Sequence, residues 1–101
     1  MAIKDVYRTF PMQRLTNIAA STALTIPTVQ SDNVTSFRPV LALLQAQVAS
    51  VIWTSDGTAA SATNGFILNP SDPPYPVDCD LTQIRVIQGA AGAVLMVGYF
   101  A

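Results

Sequence analysis

Few side chains in this sequence of 101 residues can move a proton, attack a carbon or hold a metal. It has no histidine, and Cys79 is its single cysteine. All six acidic residues are aspartates and Lys4 is the one lysine. General acid–base work would therefore fall to Asp, Tyr, Lys or Cys. A Ser-His-Asp or Cys-His arrangement cannot be assembled, and a lone cysteine cannot supply a zinc or iron site. Cys79 sits between Asp78 and Asp80. Their negative charge should raise the thiol pKa and weaken the nucleophile, so Cys79 reads as a small, partly buried side chain near a strand start. Asp72, Asp78 and Asp80 offer oxygens of the kind calcium takes, but their spacing matches no calcium loop, and they read as solvated loop carboxylates. Asp56 is accounted for by its turn with Gly57. Gly89-Ala90-Ala91-Gly92 is a weak echo of a phosphate-cradling loop and reads better as a hairpin connection. No catalytic residue, metal site or cofactor is expected, and the chain reads as a non-enzyme.

The remaining candidates are contact residues. Trp53 lies in an apolar run, where core or interface is a better reading than a sugar-stacking platform. Tyr75 sits among four prolines in Asn69–Pro76, a stretch with little entropy left to lose on docking. Tyr7, Arg8 and Phe10 fall in a mixed charged and aromatic segment, residues 1–11, that reads as an N-terminal arm needing a partner surface. Tyr7, Arg8, Phe10 and Tyr75 are thus the expected partner contacts.

The elements that would position them are short. Residues 22–26 alternate polar and apolar, the period of a half-buried strand, and Pro27 ends it. Residues 28–36 read as a polar loop. Residues 40–54 are rich in apolar and β-branched types, although good helix formers in 40–50 keep a helix there as a rival. Asp56-Gly57 and Asn64-Gly65 are turn signals, and Phe66-Ile67-Leu68 follows as a strand. Residues 69–76 should be a stiff extended loop, since proline excludes helix and central strand. Residues 81–87 and 93–100, joined by Gly89–Gly92, read as a hairpin. About seven or eight short strands at regular spacing predict an all-β fold, a small antiparallel sandwich or jelly roll or a small barrel, with the arm as residues 1–11 and a single domain over 12–101.

Composition points to company. Charged residues make up 11% and apolar ones 50%, against about 25% charged in an average domain. The mean hydropathy is positive. Too little charge is present to cover a free monomer, so part of the surface is expected to be buried on neighbours. The basic residues, Lys4, Arg8, Arg14, Arg38 and Arg85, form no run able to neutralise successive phosphates, so nucleic acid is not an expected partner. The uncharged stretches 39–55 and 86–101 fall short of the ~20 residues of a spanning helix, so no membrane partner is expected. The first ten residues lack the apolar core of a signal peptide, making the cytoplasm the expected place of synthesis.

The run Leu43-Leu44-Gln45-Ala46, Val51-Ile52-Trp53, Asp56-Gly57-Thr58, Ala62-Thr63 and Gly65 resembles a group of small virion proteins of tailed bacteriophages. Leu81, Ile84-Arg85-Val86-Ile87, Ala93-Val94-Leu95-Met96-Val97 and Tyr99-Phe100 continue the likeness, which spans roughly residues 40–100; Trp-x-x-Asp-Gly-Thr is its most specific part. The resemblance implies a β-sandwich located in the virion, as a capsid decoration (cement) protein. Such proteins commonly sit as homotrimers that touch copies of themselves and the major capsid protein. A head–tail or tail component and a carbohydrate-binding module using Trp53 and Tyr75 are the alternative expectations.

Overall fold

The computed structural model describes residues 9–27, 30–31, 36–37 and 39–101. Among them are ten short strands: β1 Gln13–Leu15, β2 Thr22–Ala23, β3 Gln30–Ser31, β4 Ser36–Phe37, β5 Leu41–Gln47, β6 Val51–Thr54, β7 Phe66–Leu68, β8 Tyr75–Val77, β9 Arg85–Gln88 and β10 Val94–Phe100. The chain is all-β as expected. One 3-10 turn, Leu81–Gln83, is capped by the Asp80 carboxylate, which accepts from the Thr82 amide.

Two antiparallel four-stranded sheets form, ordered β1-β10-β5-β8 and β2-β9-β6-β7, with β3 and β4 as a separate ribbon. Strands are paired from the outside of the sequence inward: β1 with β10, β2 with β9, β5 with β8, β6 with β7. The chain is in effect one long hairpin, folded about the β6–β7 connection and rolled so that alternate pairs fall in opposite sheets. This is the strand order of an eight-stranded jelly roll of two Greek keys, with the β3–β4 ribbon inserted between β2 and β5. We call β1-β10-β5-β8 the front sheet and the other the back sheet.

The core lies between the sheets. On the front sheet, Ala42, Leu44 and Ala46 of β5 and Leu95, Val97 and Tyr99 of β10 face inward. Val51, Trp53, Leu68 and Val86 meet them from the back sheet, and Ile18, Leu81 and Ile84 close the ends. Two-residue periodicity decides β5 against helix. Its burial alternates strictly along Leu41–Gln47, and its seven paired positions with β10 satisfy backbone groups over the whole segment.

Four sequence expectations change. Residues 85–100 make no hairpin: β9 belongs to the back sheet and β10 to the front, so Gly89–Gly92 carries the chain between layers. Local turn chemistry gives no information about which layer the next strand joins. The strand expected over 22–26 covers only Thr22–Ala23, beyond which Leu24 turns into the core. The proline stretch is a loop only to Pro74; Tyr75–Val77 is a strand, and proline is tolerated in it because β8 is an edge. Within the expected loop 28–36, Gln30–Ser31 pairs with Ser36–Phe37.

Two local features hold measurable energy. The Ala49 amide donates to the Gln47 carbonyl across Val48, whose φ is 72°. Val48 is thus the centre of a left-handed γ-turn, a rare and strained form, and its side chain is exposed. The Tyr99 hydroxyl, deeply buried, donates to Gln13 Oε1 at 2.5 Å. The same oxygen accepts from the Thr25 amide at 3.2 Å, tying the segment after β2 to the front sheet. Burial pushes the Tyr99 phenol up to about 12.

Val48→Gly should raise stability by about 0.5–1 kcal/mol, because relief of left-handed strain exceeds the added unfolded-state freedom; chemical denaturation reads it. Alkaline stability follows from Tyr99. An unfolded tyrosine ionises near 10 while the native phenol keeps its proton to about 12. The native state then holds more protons, so stability is intact below pH 10 and falls as pH rises from about 10 to 12. Tyr99→Phe should flatten that decline while costing about 1 kcal/mol at neutral pH through the lost hydrogen bond; denaturant midpoints measured across the pH range check both.

Candidate functional site

Strand parity places two apolar surfaces outside the core. The first is the outer face of the front sheet. Residues alternate across a sheet, so with Leu44, Leu95 and Val97 turned inward, Leu41, Leu43, Met96 and Phe100 point outward, joined at the margin by exposed Met12. An antiparallel sheet with one solvated face ordinarily alternates apolar-in and polar-out. Here the four strands carry a single charged residue, Arg14. Gly98 deepens the face: a Cβ there would lie 3.3 Å from the Phe100 ring and 3.9 Å from Leu43 Cβ. The resulting groove of about 440 Å³ runs from Thr9 and Phe10 over Leu43 and Met96 to Pro74.

The second surface is the mouth between the sheets. β7 ends the back sheet and β8 ends the front sheet, and residues 69–74 connect them. Trp53, Phe66 and Tyr75 converge in this gap. Their ring centroids are 5.2 Å apart for Trp53–Phe66 and 5.7 Å for Trp53–Tyr75, both tilted, a favourable geometry for aromatic pairs. Trp53 is 6% exposed, whereas Phe66 and Ile67 are each 62% exposed and Tyr75 49%. These residues and Pro73, Pro74, Pro76 and Asp72 line a cleft of about 760 Å³. Asp72 is its one carboxylate, held by accepting the Asn69 amide at 2.9 Å. Gly65 sets the entry to β7: its φ is 142°, and a Cβ would press within 2.9 Å of the Trp53 carbonyl oxygen.

The contact candidates separate. Tyr75 packs on Trp53 of its own domain and also lines the cleft. Phe10 is 6% exposed and packs in the core, and it also lines the end of the front-sheet groove; its amide donates to the Tyr99 carbonyl, which ties Phe10 to β10. Tyr7 and Arg8, with the rest of 1–8, lie outside the described residues. Phe66, Ile67, Leu43 and Met96 are surface residues that the sequence reading does not single out. The available signal is Leu41 and Leu43 alternating with Ala42 and Leu44, which leaves at least one leucine outside whichever face is buried.

Among the described residues, Asp56, Asp72 and Asp80 are held by local hydrogen bonds. Among the described residues no group of three metal-capable side chains occurs, and no helix is long and apolar enough to cross a membrane. Asp56 accepts from the Thr58 amide and hydroxyl at 3.1 and 2.6 Å, and Asp80 does the same for Thr82 at 3.0 and 2.6 Å. These bonds hold both carboxyls below the ordinary range. Cys79 is exposed rather than partly buried. Its pKa is raised as expected, but partial desolvation by the surrounding chain is the largest cause, with Asp80 and Asp78 adding to it.

The fold and surfaces define an eight-stranded jelly roll with an apolar outer sheet face and an aromatic cleft at its open edge. Comparison with protein-family models, with curated proteins and with solved structures found no match.

Cys79 should alkylate slowly at neutral pH, with its rate rising only above the usual thiol range. Asp78→Asn with Asp80→Asn should lower the inflection without restoring the ordinary value, since desolvation remains; iodoacetamide rates against pH measure it.

Proposed function

We propose that this chain is a non-enzymatic virion protein of a tailed bacteriophage, a capsid decoration (cement) protein that steadies the shell through contacts with copies of itself, as a homotrimer, and with the major capsid protein. The observation that carries this reading is the outer face of the front sheet, where Leu41, Leu43, Met96 and Phe100 take positions that water would ordinarily claim for polar side chains. Covering such a face removes apolar area from water at about 25 cal/mol per Å², and about 800 Å² per partner suffices for a stable interface. At many equivalent sites on a shell, modest contacts add through avidity.

Two further points support the reading: the resemblance to small phage virion proteins drawn from the sequence of residues 40–100, and the jelly roll, a recurrent architecture of viral capsid domains. The architecture also serves lectins, so the surface rather than the fold bears the argument. A sugar site needs several converging polar groups. The cleft beside Trp53 has one carboxylate, and the indole is covered by Phe66 and Tyr75, which leaves the carbohydrate reading the weaker one.

Leu43→Asp with Met96→Asp should dissociate the assembly while leaving the circular dichroism of the fold unchanged. Sedimentation velocity reads the first effect, and a wild-type chain that is monomeric at high concentration overturns the reading. Copy number in purified particles then separates the placements: hundreds per particle support decoration, a handful means a head–tail or tail component, and none removes the protein from the virion.

A further inference from the structure

The aromatic cleft is a second surface, distinct from the front-sheet face, and its rim tells what fits it. Pro74 lines both the front-sheet groove and the cleft, so the two form one apolar track from Thr9 to Trp53. The cleft takes an apolar segment between two sheet edges. The carboxylate of Asp72 adds a preference for a cation within that segment.

Residues 1–8, Met-Ala-Ile-Lys-Asp-Val-Tyr-Arg, have this chemistry: Ile3, Val6 and Tyr7 are interleaved with Lys4 and Arg8 against the one carboxylate of Asp5. The structure also fixes where they start. β1 runs antiparallel to β10, and Thr9 bridges Phe100. An extended continuation from Thr9 toward residue 1 therefore leaves the domain past the Phe100 end of β10, away from its own cleft. Returning would need a tight reversal, for which residues 1–8 offer no glycine or proline and only Asp5 among the turn-forming types. Reach is not limiting: eight extended residues span up to about 26–29 Å, against about 14 Å across a four-stranded sheet.

We propose that the cleft between β7 and β8 receives residues 1–8 of a second copy of this chain, with Ile3, Val6 or Tyr7 covering the Trp53–Phe66–Tyr75 aromatics and Lys4 or Arg8 facing Asp72. The proposal rests on the reading that the chain assembles, and it names the strap that links the copies.

Disulfide trapping in the full chain tests it. In a Cys79→Ser background, Tyr7→Cys and Ile67→Cys chains are mixed and oxidised, with Thr22→Cys on the opposite edge of the back sheet as the control. A 7–67 disulfide between chains should form well ahead of the 7–22 control and slow severalfold with Asp72→Arg. The sole tryptophan, Trp53, should shift its emission on dilution of the wild-type chain in step with dissociation. An intrachain disulfide in the chain bearing both cysteines, without an interchain product, shows the strap closing on its own cleft and overturns the proposal. Cross-linking no faster than the control overturns it too. If the chain then still sediments as an assembly that Leu43→Asp with Met96→Asp dissociates, the assembly reading stands and this inference alone falls; a monomer at every concentration removes both.

Discussion

The seven-position ladder between β5 and β10 is the constraint on which the rest depends. Each strand buries one face completely, with Ala42, Leu44 and Ala46 opposite Tyr99, Val97 and Leu95. A slip of β5 by one residue would turn Ala42, Leu44 and Ala46 to the outside and bring Leu41 and Leu43 into the core, where their volumes do not match. Every other strand of the front sheet hangs on this pair, β1 on β10 and β8 on β5. The back sheet is then held by packing, through Val51, Trp53 and Val86 against the same inner face. Because the two strands stand far apart in sequence, the loop between them must close before its contacts stabilise anything, which predicts slow folding relative to helical chains of this length.

Much of the architecture is legible in the residues, because period-2 alternation and turn chemistry are local properties. Leu41–Gln47 and Val94–Phe100 announce themselves as strands, and Asp56-Gly57 and Asn64-Gly65 mark the long connection between β6 and β7. The roll is not legible. Gly89–Gly92 looks the same whether it returns the chain along one sheet or lifts it to the other, and only the pairing of β9 with β6 and of β10 with β5 decides. Helix-forming residues in 40–50 lose to the ladder for the same reason: tertiary pairing overrides weak local preference.

The candidate site was harder to read than the fold. Tyr75 stands out through the stiffness of its surroundings and Phe10 through its place in a mixed charged and aromatic segment, but neither property says which way the ring faces, and Phe10 packs in the core. Phe66 and Ile67 read as part of an ordinary strand. That their strand forms a sheet edge, which exposes them, depends on strand order and on nothing within residues 66–68. Cys79 shows a subtler limit. The carboxylates flanking it act in the expected direction, but the leading cause is desolvation, which sequence neighbours do not report.

The two edges that frame the cleft are protected unequally. Natural edges are blunted by charge, proline, bulges or brevity. β8 carries Pro76 in its middle, whose missing N–H denies a partner strand one donor. β7 is short but has neither charge nor proline, and it displays Phe66 and Ile67 beside the cleft. A free monomer gains nothing from an edge of this kind and is exposed to uncontrolled association by it. The asymmetry has a use where a neighbour's segment is meant to lie along one side of the gap and not the other. One blocked edge and one open edge then select a single seating for the incoming chain, which is the geometric condition for an assembly that repeats the same contact at every copy.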